Sequence, residues 1–108
     1  MIYDVYGYGE PSLGDQPAQL AATLGVQWVQ HESDYRGSYF AARPRTGTGK
    51  LRLQSNDLRD GDVEYFQEPD FPEYRYLLFL DKFDRPDELR SKLAALPHWR
   101  FLYRSVVE

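Results

Sequence analysis

The sequence predicts a single α+β domain, residues 1–108, in which two helices cover one face of a mixed, mostly antiparallel sheet. Short stretches alternate apolar and polar residues, two segments repeat leucine at helical spacing, and the middle strands are joined by short turns. A chain of 108 residues is the size of one domain. The predicted order is β–α–β–β–β–(β)–β–α–β, with about five to seven strands. A two-layer sandwich is the simplest packing for that order.

The first half of the chain predicts a strand, a helix and three more strands. The helix follows Asp15, with Pro17 in its first turn, Leu20 and Leu24 on one face, and Gly25 at its C-terminal end. The segment KLRLQS alternates cleanly and places two leucines inward and polar residues outward. The predicted strands are residues 2–6, 26–31, 38–43 and 50–55.

The second half predicts two strands, a helix and a closing strand, the strands being residues 63–67, 74–83 and 99–107. The segment 63–67 is short and is expected at an edge, whereas the apolar centre of 74–83 predicts a central strand with both faces covered. Pro86 suits the first turn of the second helix, and Leu89, Leu93 and Leu96 form its apolar stripe before Pro97 ends it. Each β–α–β unit is long enough for a crossover between parallel strands.

Composition excludes several classes of protein. The chain contains no cysteine, which excludes disulfides and thiolate sites, and two histidines among scattered carboxylates predict no metal site and no cofactor. Its N-terminus lacks the pattern of a signal peptide, and the longest apolar run, residues 76–80, is too short to cross a bilayer. A cytoplasmic protein without membrane contact is expected.

Charge is segregated along the chain, although the total is only −4. Residues 35–56 contain five basic residues and no acid, whereas residues 57–74 contain seven acids against one arginine. Nucleic acid is not expected as a partner, because proteins that bind it usually carry a basic excess. The segregation predicts either neighbouring strands that neutralise each other or an acidic surface presented to a basic protein.

The stretch HESDYRGSYF, residues 31–40, gathers residue types that perform acid–base and nucleophilic chemistry. On a strand, His31 and Ser33 share a face while their acidic neighbours point away, so a Ser–His–Asp arrangement would need a distant carboxylate. The favoured interpretation is a strand end followed by a turn closed by Gly37. The alternative site, serving a small hydrolase or nuclease, comprises His31, Ser33, Asp34 and Tyr35.

Two glycine-rich stretches do not have the spacing of nucleotide-binding loops. RTGTGK, residues 45–50, lacks the first glycine and the final Ser or Thr of a P-loop and joins two strands, so Gly47 and Gly49 are predicted in a hairpin turn. GYGEPSLG, residues 7–14, is not GxGxxG, and Glu10 would repel an anion. QSNDLRDGD, residues 54–62, lacks EF-hand spacing and is predicted to be a solvated turn.

The acidic stretch ending in EPDFPEY is the best candidate for partner binding. Two prolines hold it extended, and Phe71 and Tyr74 lie among carboxylates, which suits a docking surface. Equally, Phe71 could pack into the core. The candidate partner-binding residues are Asp57, Asp60, Asp62, Glu64, Glu68, Asp70, Phe71, Glu73 and Tyr74.

In its general profile, as a small, acidic, single-domain chain, the protein resembles the immunity proteins with which bacteria neutralise their own toxins. That resemblance implies a non-enzymatic inhibitor that docks on a basic partner such as a bacterial toxin. One alternative is the small enzyme that uses His31 with a remote carboxylate. Another is a homodimeric ligand-binding domain. The chain contains two Trp, nine Tyr and six Phe, and two thin helices are not expected to cover a sheet so rich in aromatic residues. Such a dimer would form through an aromatic sheet face.

Overall fold

The computed structural model describes residues 1–33, 37–44 and 48–107. Two helices and eight strands are found in this part of the chain. They are β1 (Ile2–Tyr8), α1 (Gln16–Leu24), β2 (Val29–Ser33), β3 (Gly37–Ala42), β4 (Lys50–Ser55), β5 (Asp57–Asp60), β6 (Val63–Phe66), β7 (Tyr76–Asp81), α2 (Pro86–Leu93) and β8 (Trp99–Val106).

Six of the strands form one sheet in the order β2-β3-β4-β7-β1-β8, and every described pair of neighbours is antiparallel. The predicted α+β class and mostly antiparallel sheet are therefore confirmed. The strands β7 and β8 run in the same direction, as a crossover requires, but β1 lies between them. This split β–α–β arrangement explains why the predicted parallel strands are not neighbours.

Both helices lie on one face of the sheet, as predicted. Leu20 and Leu24 of α1 and Leu93 of α2 are buried in one cluster with Leu51, Leu78 and other inward residues of the central strands. Gly25 ends α1 in the left-handed region, at φ 67°. The helix α2 ends at Leu93, earlier than predicted, and a hydrogen-bonded turn then brings Leu96 onto the same core.

Strand β7 is central and buried on both faces, as its apolar run predicts. On the face opposite the helices, Leu77 and Phe79 form a second cluster with Val5. Tyr74 packs on this cluster so closely that a Cβ at Gly7 would lie 2.6 Å from the tyrosine ring. The segment that follows β6 therefore covers this face of the sheet at β1. At β2 and β3 the same face is more open, and Val29 is 56% exposed.

The sequence-based prediction for residues 54–62 is wrong. In place of a solvated turn, β5 pairs with β6 in a separate two-stranded sheet, and Leu58 is buried. Strand β6 is thus not an edge of the main sheet. Asn56, between β4 and β5, is fully buried. Leu58 is the one apolar residue of β5, so the segment shows too little alternation of apolar and polar residues to predict a strand.

A partly buried ion pair joins the edge strand β8 to β1. Asp4 is fully buried, and Arg104 donates to both of its carboxylate oxygens at 2.7 and 3.0 Å. The same guanidinium donates to Asp87 in the first turn of α2 at 2.9 Å. Arg104 therefore ties the sheet to the second helix, and these contacts raise its pKa.

Candidate functional site

The acidic segment folds into an arm that is separate from the six-stranded sheet. We call residues 57–74, the β5–β6 hairpin and the loop after it, the acidic arm. The exposed carboxylates of the arm are Asp57, Asp62, Glu64, Asp70 and Glu73. Asp60 ends β5, where its backbone pairs with Val63, and Glu68 is half-buried. Most of the predicted carboxylates are therefore brought together on one surface element.

Asn56 holds the base of the arm. Its Nδ2 donates to the carbonyl oxygens of Phe71 and Tyr74 at 2.9 and 2.8 Å, and its Oδ1 accepts from the backbone N–H of Glu68 at 2.8 Å. Its backbone carbonyl accepts from Gln67, and its backbone N–H donates to Arg75. One buried amide thus fixes both ends of the loop that follows β6.

Sequence reasoning did not find Asn56 as a structural anchor. The sequence offers one indication of this role: an asparagine at the junction of two strands can hydrogen-bond backbone N–H and C=O groups through its side chain. That signal is weak, because asparagine is also common in solvated turns. The deciding fact is that residues 68, 71 and 74, far along the chain, present their backbone groups to it.

Two aromatic residues of the arm, Phe71 and Tyr74, face the sheet. Phe71 stacks on Tyr103 of β8, with ring centroids 5.9 Å apart and an angle of 16° between the rings. The Tyr103 hydroxyl donates to Glu68 at 2.6 Å, and burial, together with this hydrogen bond, raises the pKa of Tyr103. Phe71 and Tyr74 are half-buried. The arm is consequently a carboxylate surface backed by aromatic rings, with only part of each ring in contact with solvent.

The strands that carry the acids are not sheet neighbours of the strands that carry the bases. Strand β5 pairs with β6, whereas β4, which carries Lys50 and Arg52, pairs with β3 and β7. Within the arm, Arg59 forms an ion pair with Glu64 across the hairpin, and both side chains are mostly exposed. Such a pair contributes about 0–1 kcal/mol. Cross-strand neutralisation within one sheet therefore does not account for the acidic arm.

His31 lies on the other half of the helix-free sheet face. Its imidazole stacks on Tyr39 of β3, with centroids 5.4 Å apart and an angle of 20°. Together they line a shallow groove of about 550 Å³ whose rim carries Arg43 and Lys50. The described lining of this groove contains no carboxylate that could orient the imidazole.

The other residues of the alternative site are only partly described. Ser33 is the last residue of β2, where its backbone pairs with Gly37, and Gly37 has a φ of 66°, as predicted for the turn. Asp34 and Tyr35 lie outside the described residues. Of the two predicted turn glycines, Gly49 has a positive φ of 124°, and Gly47 is outside the described part. The enzyme hypothesis stays a prediction.

Within residues 1–33, 37–44 and 48–107, no group of three or more His, Asp or Glu residues is placed to hold a metal ion. Neither described helix is long and apolar enough to span a membrane. Comparisons with models of protein families, with curated proteins and with solved structures find no match to this chain. Its function must therefore be proposed from its own surfaces.

Proposed function

We propose that this protein is a non-enzymatic binding domain whose acidic arm docks on a basic surface of another protein. The observation that supports this most is the separate β5–β6 sheet, which carries exposed carboxylates and is fixed at its base by Asn56. Acids this close together repel each other and cost stability. A partner that supplies the opposite charge gives the arrangement a role.

The rigidity of the arm matters for affinity. A loop that must become ordered on binding loses conformational entropy, whereas a loop already held by hydrogen bonds does not. Asn56 and the Phe71–Tyr103 stack hold the arm before any partner arrives. The fixed carboxylates also create a field that accelerates encounter with a positively charged surface.

The basic partner of this proposal is a protein that handles nucleic acid, such as a nuclease toxin. Its substrate groove must be basic, and fixed carboxylates can occupy positions that phosphates would take. An immunity-type inhibitor acting in the bacterial cytoplasm fits this chemistry. The general profile of a small, acidic chain agrees with it.

The experiment begins with affinity capture from the native host and mass spectrometry, followed by association kinetics with the purified partner. We expect the wild-type on-rate to fall steeply between low and physiological salt. We expect the double variant Asp70→Asn, Glu73→Gln to associate more slowly and to lose part of that salt dependence. Its folding stability should stay level or improve, because repulsion within the arm is reduced.

The matched control removes two exposed carboxylates outside the arm, Glu10→Gln with Asp84→Asn. Both double variants change the net charge equally, so only a role of the arm itself separates their on-rates. An on-rate indifferent to salt and equal in the two variants contradicts docking through the arm. A loss of folding stability in the arm variant alone would favour an internal role for these carboxylates.

A further inference from the structure

The two edges of the six-stranded sheet differ in how they are protected. Strand β8 has an irregular register against β1 and carries Arg100 and Arg104, and Phe71 of the arm stacks on it. Bulges, charges and covering segments are the usual means by which proteins prevent an edge from pairing with another chain. Strand β8 therefore has the features of a closed edge.

The other edge, β2, is less protected in the described part of the chain, with Glu32 as its one acid. Its sequence, VQHES, contains no Lys, Arg or Pro, its register with β3 is regular over all five residues, and residues 29–32 are exposed. Among the described residues, no backbone hydrogen bond from a turn, loop or cap reaches β2. One row of its N–H and C=O groups is thus directed outward from the sheet.

We propose that β2 pairs antiparallel with β2 of a second copy of this chain, around a twofold axis that passes through His31. In an isologous contact, a residue on the axis meets its own counterpart. The pairing then places Val29 opposite Ser33 of the second copy and Gln30 opposite Glu32 of the second copy. Centring on His31, the middle residue of β2, pairs all five residues, whereas any other centre pairs fewer.

The register is compatible with the charges and with the layers of the fold. Glu32, the one acid of β2, meets the neutral amide of Gln30 instead of another carboxylate, and it does so twice in the dimer. Residues directly opposite each other in an antiparallel pair lie on the same face. A contact centred on a residue therefore keeps the helices of both copies on one face of a continuous sheet.

The stacked pair of His31 and Tyr39 supplies the side-chain contact. These two residues are cross-strand partners in β2 and β3, and their rings already stack. In the dimer, four rings would form a row across the axis: Tyr39 and His31 of one copy, followed by His31 and Tyr39 of the second copy. Neighbouring Cβ atoms in this row would be about 5 Å apart. Five paired residues make a small contact, so we expect a weak dimer that exchanges rapidly.

The row also makes the contact sensitive to pH. Protonation gives an imidazole a positive charge, and two of them would face each other at the axis. Tyr39 packs on the imidazole, and the nearby groove rim adds positive charge from Arg43 and Lys50. Glu32 points to the opposite face of β2 and does not compensate. Acidification is therefore expected to weaken the dimer.

Sedimentation equilibrium of the full chain at protein concentrations up to about 1 mM tests the pH response. We expect self-association at about pH 7.5 that weakens tenfold or more at about pH 5.5. The variant His31→Phe keeps a planar ring on Tyr39 and should associate at both pH values. The matched control, His98→Phe, changes the other exposed histidine, which contacts Tyr8, and should keep the wild-type pH response.

A second pair of variants tests the register. Gln30→Glu places two acid–acid pairs in the dimer and is expected to weaken it about tenfold, and adding Glu32→Lys should restore it through opposite charges. Gln19→Glu makes the same charge change at an exposed position of α1, away from this groove, and should have no effect. Thermal unfolding of each variant confirms that the fold is kept.

The inference is overturned if the wild-type chain stays monomeric over this concentration range. It is also overturned if folded Gln30→Glu associates as tightly as Gln19→Glu, or if His31→Phe and His98→Phe show the same pH response. The result is independent of the acidic arm, because Asp70→Asn with Glu73→Gln leaves β2 unchanged and should dimerise normally.

Discussion

Replacement of Asn56 by alanine should release the acidic arm while leaving the six-stranded sheet folded. The side chain donates to the carbonyl oxygens of Phe71 and Tyr74 and accepts from the N–H of Glu68, and it is fully buried. Alanine removes all three hydrogen bonds and leaves the N–H of Glu68 and the carbonyl of Tyr74 without this partner, while the carbonyl of Phe71 still accepts from the N–H of Tyr74. Each such bond contributes about 1 kcal/mol net, and a group left buried costs more.

The expected loss is therefore about 2–4 kcal/mol in the free energy of unfolding, a large part of the stability of a small domain. Asn56→Asp is a sharper perturbation, because it preserves the volume and the acceptor. It replaces the donor with an oxygen that faces two carbonyl oxygens, and it introduces a buried charge. Its loss should equal or exceed that of alanine at neutral pH and become smaller in acid, where the introduced carboxyl is protonated and can donate.

Urea denaturation measures the global loss, and native-state hydrogen exchange locates it. We expect amides of β5, β6 and the loop after them to lose protection while amides of β1 and β7 keep theirs. The matched control is Ser55→Ala, which removes one exposed hydrogen bond, to the carbonyl of Asp57, from the same junction. A loss for Asn56→Ala no larger than for Ser55→Ala, with unchanged exchange in the arm, would refute the assignment of Asn56 as the anchor.

Two further predictions concern buried polar groups on the helix side of the sheet. Burial, with a smaller effect from Asp4, raises the pKa of Tyr6 to about 12, above the ordinary value for a tyrosine. The unfolded chain then ionises first, so stability should fall as the pH rises from about 10 to 12. Tyr6→Phe should reduce that fall, measured by denaturation at several pH values. At neutral pH it should leave the free energy of unfolding unchanged, because the buried hydroxyl has no hydrogen-bond partner among the described residues. A marked loss of stability at neutral pH would contradict this prediction. Arg104→Ala should lower the free energy of unfolding by about 3–5 kcal/mol, because it leaves the fully buried Asp4 without its partner. The double variant Arg104→Leu, Asp4→Leu should recover most of this loss in urea denaturation. Equal losses in the two variants would count against this explanation.

The features predicted correctly from sequence are those set by neighbouring residues. Pro17 and Gly25 limit the first helix, and the apolar run of β7 indicates burial on both faces because few other environments tolerate it. The sheet order could not be predicted, since the position of β1 between β7 and β8 depends on contacts between distant parts of the chain. Sequence spacing allows a crossover but does not say whether another strand will occupy the gap.

The candidate site divides in the same way. The charges of the acidic arm are visible in the sequence, since they are consecutive along the chain. Its anchor is not visible, because the partners of Asn56 are backbone groups, and any residue type supplies those. The inward orientation of Phe71 also depends on a distant residue, Tyr103. Sequence could therefore propose the surface but not the contacts that hold its base.

The topology allows the two proposed contacts to operate together. The loop of the acidic arm lies over β1 and β8, whereas β2 is at the opposite edge, five strand spacings or roughly 24 Å from β8. Pairing through β2 would place the two arms near the outer ends of a twelve-stranded sheet, roughly 50 Å apart. In such a dimer, each arm would be open to a partner of its own. A partner that is itself dimeric could gain affinity from two simultaneous contacts if its basic surfaces match this separation.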